Sequence, residues 1–170
     1  MMNSKVHRRT VDLSAYPDLV VIYLGMRVNA FSGLKTLFGF GPKIAASVTA
    51  MPEGLLLHEN FMFSVFPPHV GMRQYWRDFE SLESWARSEP HRGWWQQFLR
   101  NSGGTGFWHE AYFMRGGMEA VYDDMVDATG FLHFAPVQEA RGPMFSARGR
   151  AQRQGKPAGP LPVSENDLYG

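Results

Sequence analysis

The feature that most constrains this chain is the order in which its hydrophobic period changes between residues 19 and 114. Leu19 to Val28 is apolar at nearly every position and rich in β-branched residues, as a strand covered on both faces would be. From Ser32 to Met51 the spacing of Leu34, Leu37, Phe38, Ile44, Val48 and Met51 is helical. Gly39-Phe40-Gly41-Pro42 is expected to interrupt that helix, with Pro42 opening its second segment, where a missing N–H does no harm. Pro52-Glu53-Gly54 is a stop and turn, Gly54 to Phe66 reads as a long strand ended by Pro67-Pro68, and Val70 to Arg77 as another. Asp78 stands where an N-cap belongs, ahead of helical spacing at Phe79, Leu82, Trp85 and Ala86. Pro90 breaks or restarts that helix, Asn101-Ser102-Gly103-Gly104 terminates it, and Thr105 to Met114 is a fourth strand.

Strand, helix, strand, strand, helix, strand is the ferredoxin-like βαββαβ plan, an α+β fold with two helices on one face of a four-stranded antiparallel sheet. The other face has nothing from its own chain to cover it, so it becomes either a dimer interface or the wall of a ligand cavity. The length of 170 residues allows one such domain, expected over 13–147, with a flexible segment at 1–12 and a polar tail at 148–170. The tail begins with the basic residues Arg148, Arg150, Arg153 and Lys156, read as solvated or laid on a neighbouring subunit.

Composition removes several classes of function. With no cysteine, disulfides, thiolate metal sites and cysteine nucleophiles are impossible. A net charge of +1 gives no electrostatic reason to expect nucleic acid or a membrane as partner. The run from Leu19 to Met26 is too short to span a bilayer, which takes about 20 residues. No apolar stretch follows Lys5, Arg8 and Arg9 as a secretory leader requires, so a cytoplasmic protein is expected. The aromatic share, 14%, is high for a small domain, whose rings must fill the core or line a pocket.

Alternation sorts the strand residues by face. Val20, Ile22, Leu24 and Met26 are wholly aliphatic and suit packing under helices, whereas Val21, Tyr23 and Arg27 suit a space with polar content. Arg73, Tyr75 and Arg77 oppose Met72, Gln74 and Trp76. In the last strand Phe107, His109, Ala111 and Phe113 share one face, and Trp108, Glu110, Tyr112 and Met114 the other. His109 and Glu110 are therefore alternatives as a pocket base unless the strand is bulged. A carboxylate between Trp and Tyr needs water or a partner, and Arg27 or Arg73 across the sheet is the expected one for Glu110. The pocket is expected on the uncovered face, lined by Tyr23, Arg27, Tyr75, Trp95, Trp108, Glu110 and Tyr112.

Gln74-Tyr75-Trp76-Arg77-Asp78, Ser84-Trp85-Ala86, Pro90-His91 and Gly106-Phe107-Trp108-His109-Glu110-Ala111-Tyr112 together resemble a monooxygenase-like family once catalogued as a domain of unknown function. That family includes the antibiotic-biosynthesis-type monooxygenase of the fumagillin pathway. Its last-strand motif reads Gly-Ile-Trp-His-Glu-Thr-Tyr, with Phe107 and Ala111 here in place of Ile and Thr. Gly25-Met26-Arg27-Val28-Asn29 and Glu119-Ala120-Val121-Tyr122 are similar to its other landmarks, and the likeness runs over about Leu19 to Arg150. The resemblance implies a dimeric α/β barrel, a pocket between sheet and helices in each subunit, and oxidation of a hydrophobic secondary metabolite. Related small barrels divide into cofactor-free oxygenases and haem proteins. By that analogy His91, on the second helix, is the candidate haem ligand, ahead of His69 and His58, with Arg73, Arg77 and Arg92 available to propionates.

Cofactor-free oxygenation needs an acidic substrate, a base and an apolar cage that admits dioxygen. His109 or Glu110 is the expected base, and Tyr75, Tyr112 or Arg27 would stabilise the anion. No metal-ligand spacing, phosphate loop, dinucleotide fingerprint or nucleophile elbow is present, so no metal, flavin or nicotinamide is expected. The expected partners are a small hydrophobic molecule, dioxygen and a second copy of the chain. The same cage and base would also serve an isomerase, a haem dehydratase or a non-catalytic carrier.

Overall fold

The nine residues from Val20 to Val28 alternate aliphatic side chains with Val21, Tyr23 and Arg27, and their polar backbone is satisfied only by neighbours on both sides. The computed structural model describes residues 6–114, 118, 120, 122–123, 128, 130–145 and 149–150. In it the chain divides into two compact units, one of residues 18–113 and one that joins 1–17 to 114–170.

In chain order the elements are β1 (Arg8–Val11), β2 (Val20–Val28), α1 (Ser32–Thr49), β3 (Leu55–Ser64), β4 (His69–Trp76), α2 (Phe79–Arg87), α3 (His91–Arg100), β5 (Thr105–Phe113), β6 (Tyr122–Asp123) and β7 (Val137–Glu139). The 18–113 unit is the βαββαβ plan, with its second helix split at Pro90 into α2 and α3. Its sheet runs β3-β4-β2-β5, antiparallel throughout, with β2 and β4 central.

Register places Val20, Ile22, Leu24 and Met26 on the face with Trp76, Gln74, Met72 and Val70 of β4 and Phe113, Ala111, His109 and Phe107 of β5. The helices pack here. Val20, Leu55, Trp76 and Leu82 form a buried cluster, with Ile22, Val48 and Trp85 against it. Trp76 has no exposed surface, and its ring lies 5.7 Å from that of Trp85 on α2. An aromatic pair adds about 1 kcal/mol to the burial itself.

α1 is continuous through Gly39, Gly41 and Pro42, where the sequence predicts an interruption. Pro42 forfeits one intrahelical bond. Leu37, Phe40 and Ile44, half-buried toward the sheet, and Val48, packed against the core, flank it on both sides. α2 begins as expected: Asp78 is extended and accepts the N–H of Ser81 at 2.7 Å. Its carboxyl is held at about 2 by Arg77, the larger cause, and by Ser81.

In the other unit β1 lies between β6 and β7, antiparallel to both. The expectation of a flexible segment over 1–12 is corrected at Arg8–Val11, where a strand forms and Thr10 Oγ1 donates to the Ala120 carbonyl at 2.8 Å. Arg150, expected in the solvated tail, is 5% exposed. Its guanidinium donates to the carbonyls of Met144 and Phe145 at 3.0 and 2.7 Å, satisfying backbone acceptors after a 3-10 turn. The tail apart from residues 149–150, and Glu119 and Val121 of the family landmarks, lie outside the described residues. Among the described residues no helix is long and apolar enough to cross a membrane.

Candidate functional site

On the face of the sheet that no helix of the 18–113 unit covers, register aligns Glu59, Arg73, Tyr23 and Glu110 across all four strands. Arg73 donates to Glu59 at 2.8 Å through Nε and to the Tyr23 hydroxyl at 3.1 Å through Nη1. Desolvation opposes the charge of Arg73, but the bonds to Tyr23 and Glu59 outweigh it and raise its pKa. Tyr112 donates its hydroxyl to Glu110 and sets its ring edge-on to Tyr23 at 5.8 Å. That hydrogen bond is the main cause of the raised pKa of the Tyr112 phenol.

Further along this face rings come close to glycine. Gly25 and Gly71 are register partners, and a Cβ on Gly25 would come within 2.7 Å of Trp108, one on Gly71 within 2.7 Å of Phe61. Trp108 donates its indole N–H to His69 Nε2 at 2.8 Å, and the His69 ring is 4.6 Å from Phe63.

A partly open hollow is on the opposite face. A cavity of about 480 Å³ lies between the sheet and α1, walled by Leu37, Phe40 and Ile44 of the helix and Leu24, Met72 and Phe107 of the strands. Its polar side chains are His58 and Asn60 of β3. They are joined to the core by a chain of hydrogen bonds: Trp76 Nε1 donates to Gln74 Oε1 at 3.1 Å, Gln74 Nε2 meets His58 Nδ1 at 3.1 Å, and His58 Nε2 meets Asn60 Oδ1 at 3.1 Å. Burial pushes the His58 pKa down, against the smaller raising effects of Asn60 and Glu59. The neutral ring is thus the ground state at neutral pH.

The residues expected to share one pocket are distributed differently. Tyr23, Glu110 and Tyr112 do meet, on the uncovered face. Trp108 belongs with His69, Arg27 is exposed and donates to Asn29 at 3.0 Å, and Tyr75 is 3% exposed beneath Arg73, whose guanidinium is 5.2 Å from its ring. None of these lines the cavity under α1. On the uncovered face the rings of Trp108 and Phe61 stand against Gly25 and Gly71, where a Cβ would meet them. The expected pairing of Glu110 with Arg27 or Arg73 is also corrected: Arg73 is engaged by Glu59, and exposed Glu110 takes a phenol. The side chain of Trp95 lies outside the described residues.

His109 and Glu110 occupy opposite faces of β5, as alternation requires. His109 is exposed and outside the cavity lining, but it is opposite Leu24 and 6.2 Å, ring to ring, from Phe107, two residues of the cavity wall. His91 packs on Trp85 at 4.5 Å, and its Nδ1 bonds the Ala86 carbonyl at 2.9 Å. That puts it at the α2–α3 break rather than on the cavity, and both nitrogens of His58 are already bonded. These residues do not fit a haem in the cavity, which needs a histidine nitrogen directed into a flat slot. Among the described residues no group of three or more His, Asp or Glu side chains is gathered as a metal site requires. A second, open hollow of about 510 Å³ beside α2 contains Arg77, Asp78 and Ser81, which satisfy one another at 2.8 and 2.9 Å.

A family profile described as monooxygenase af470-like matches residues 19–131. Among solved structures the chain is similar to an aldoxime dehydratase, at 18% identity over 78% of this chain and 39% of that one, with a TM-score of 0.62. An aldoxime dehydratase crystallised with butyraldoxime gives 21% identity over 79% and 38%, with a TM-score of 0.63. A cofactor-independent oxygenase from Streptomyces nogalater is more distant, at 16% identity over 58% and 94%, with a TM-score of 0.40. The chain spans about two fifths of the length of the aldoxime dehydratases it matches, and at these identities the likeness is one of fold. No curated protein matches the sequence.

Proposed function

The chain belongs to the monooxygenase af470-like family, and from that membership we propose that it oxidises a small hydrophobic or aromatic, secondary-metabolite-like substrate with dioxygen, without flavin or nicotinamide. The observation that supports this reading most is the cavity under α1, which combines an apolar wall with a single polar edge at His58 and Asn60. A hollow of that size takes a molecule of two or three fused rings.

In this reading a base removes a proton from an activated CH₂ of the substrate, and the carbanion passes electrons to dioxygen. The CH₂ loses four electrons in becoming a carbonyl, one oxygen atom enters the product, and the other leaves as water. His109 is the better placed of the two bases that the sequence offers, because it shares the helix-side face and adjoins Leu24 and Phe107 of the cavity wall. Glu110, on the reverse face, would act in neither proton transfer nor substrate binding there.

The uncovered face is assigned in the same proposal to a second copy of the chain, as the dimeric barrel fold implies. Exposed Phe63 and Tyr112 supply apolar surface, and the row from Glu59 to Glu110 supplies paired polar groups.

Oxygen consumption by the purified protein tests the enzymatic reading. With anthrone-type and naphthol-type substrates, uptake of one dioxygen per ketone or quinone formed, with one labelled oxygen in product, is expected. Binding without uptake would leave a carrier, and activity that tracks a Soret band would leave a haem enzyme.

A further inference from the structure

The hydrogen bonds from Trp76 to Asn60 have one permitted direction. An indole N–H donates and never accepts, so Gln74 must turn Oε1 toward Trp76, and Nε2 is then the atom that faces His58. An amide nitrogen only donates, which makes His58 Nδ1 an acceptor and leaves the ring proton on Nε2. Nε2–H donates to Asn60 Oδ1, and the Asn60 amide is thereby oriented with Nδ2 outward. Among the described residues the Nδ2 group has no protein partner, and Asn60, itself exposed, is part of the lining where the hollow opens to solvent. The fully buried indole thus fixes, three side chains away, which end of Asn60 is free.

We propose that Asn60 is the specificity-determining residue of the cavity, donating from Nδ2 to an acceptor oxygen of the ligand, and that the site therefore selects apolar molecules carrying a carbonyl or enolate oxygen over hydrocarbons of the same shape. His58 is the positioning residue that holds the amide in this orientation. The inference rests on the cavity being the ligand site but not on any oxygen chemistry.

The test uses 1-tetralone and tetralin, which share a carbon skeleton and differ in the carbonyl. Binding is followed by the methyl resonances of Met26, Met62 and Met72, which line the cavity. The full chain is expected to bind 1-tetralone about fivefold more tightly than tetralin, the worth of one neutral hydrogen bond. Asn60→Leu should keep its affinity for tetralin and lose the preference. Nitrogen-15 spectra of the histidine rings should show His58 protonated at Nε2 and bare at Nδ1, a signature that a purely structural role for Asn60 would not link to ligand preference.

Equal binding of the two probes by the native chain, a preference that survives in Asn60→Leu, or a proton on Nδ1 would each overturn the proposal. Absence of binding by both probes would remove the ligand site itself. Since no turnover is measured, failure of the oxygenase reading alone would leave the binding preference in place.

Discussion

The indole nitrogen of Trp76 donates to Gln74 Oε1 at 3.1 Å, and both side chains are buried, at 0% and 3% exposure. Gln74 therefore satisfies two groups at once, the indole on one side and His58 on the other. Gln74→Leu keeps the volume and strands both. A buried donor left without a partner costs about 1–3 kcal/mol. We expect a loss of about 2 kcal/mol in chemical denaturation, mostly from the stranded indole. Gln74→Glu, whose second oxygen accepts, should reverse the His58 tautomer and raise its pKa. Unchanged stability in Gln74→Leu would mean that the chain of hydrogen bonds does not form.

The acid limb of the stability curve should carry the mark of His58. Its pKa is lowered from 6.5, chiefly by desolvation. The unfolded chain takes up the proton below about pH 6.5, while the folded chain resists it until its own lower pKa. The unfolded state thus binds more protons in that interval, and stability falls as pH drops through it, levelling off below the folded value. Carboxylates titrate nearby, so the difference between the native chain and His58→Gln is the measurement. The native protein should lose melting temperature relative to the variant between pH 7 and 5, and parallel curves would contradict a neutral, half-buried ring.

Much of the fold was legible because alternation and caps are local. The Asp78 cap, the Pro90 break and the two faces of β2, β4 and β5 follow from spacing alone. β3 is different. A register shift between Leu55 and Leu57 puts Leu55 on the same face as His58 and Asn60, against strict alternation. The polar edge of the cavity was therefore hidden from a period-two reading. The continuity of α1 was hidden for another reason: Pro42 and its glycines argue against a helix locally, and packing of Leu37, Phe40 and Ile44 overrides them. On the uncovered face the close approach of Trp108 to Gly25 and of Phe61 to Gly71 depends on pairing across strands, which no local pattern shows.

The opposite faces of His109 and Glu110 separate their expected phenotypes. If His109 is the base, His109→Ala should lower oxygen uptake by about 10²–10⁴-fold, the usual contribution of general base catalysis. Its melting temperature should stay near that of the native chain, since the ring is exposed. Glu110→Ala should retain turnover. The reverse pattern would move the reaction to the other side of the sheet.

Sedimentation tests the assignment of the uncovered face to a second copy. Phe63 and Tyr112 are 51% and 49% exposed on that face, more than a side chain of a finished core would be. A stable interface usually buries about 800 Å² per partner, an area that a four-stranded sheet face can supply. In a twofold dimer each residue near the axis meets its own copy or a close neighbour, so one substitution acts twice. Tyr112→Arg places two like charges at the contact and removes the bond to Glu110. The native chain should sediment as a dimer and Tyr112→Arg as a monomer with an unchanged circular dichroism spectrum. Phe63→Asp, on the neighbouring edge strand, should weaken association without touching the polar row. A dimer that persists in both variants would place the contact elsewhere and leave the row from Glu59 to Glu110 facing solvent.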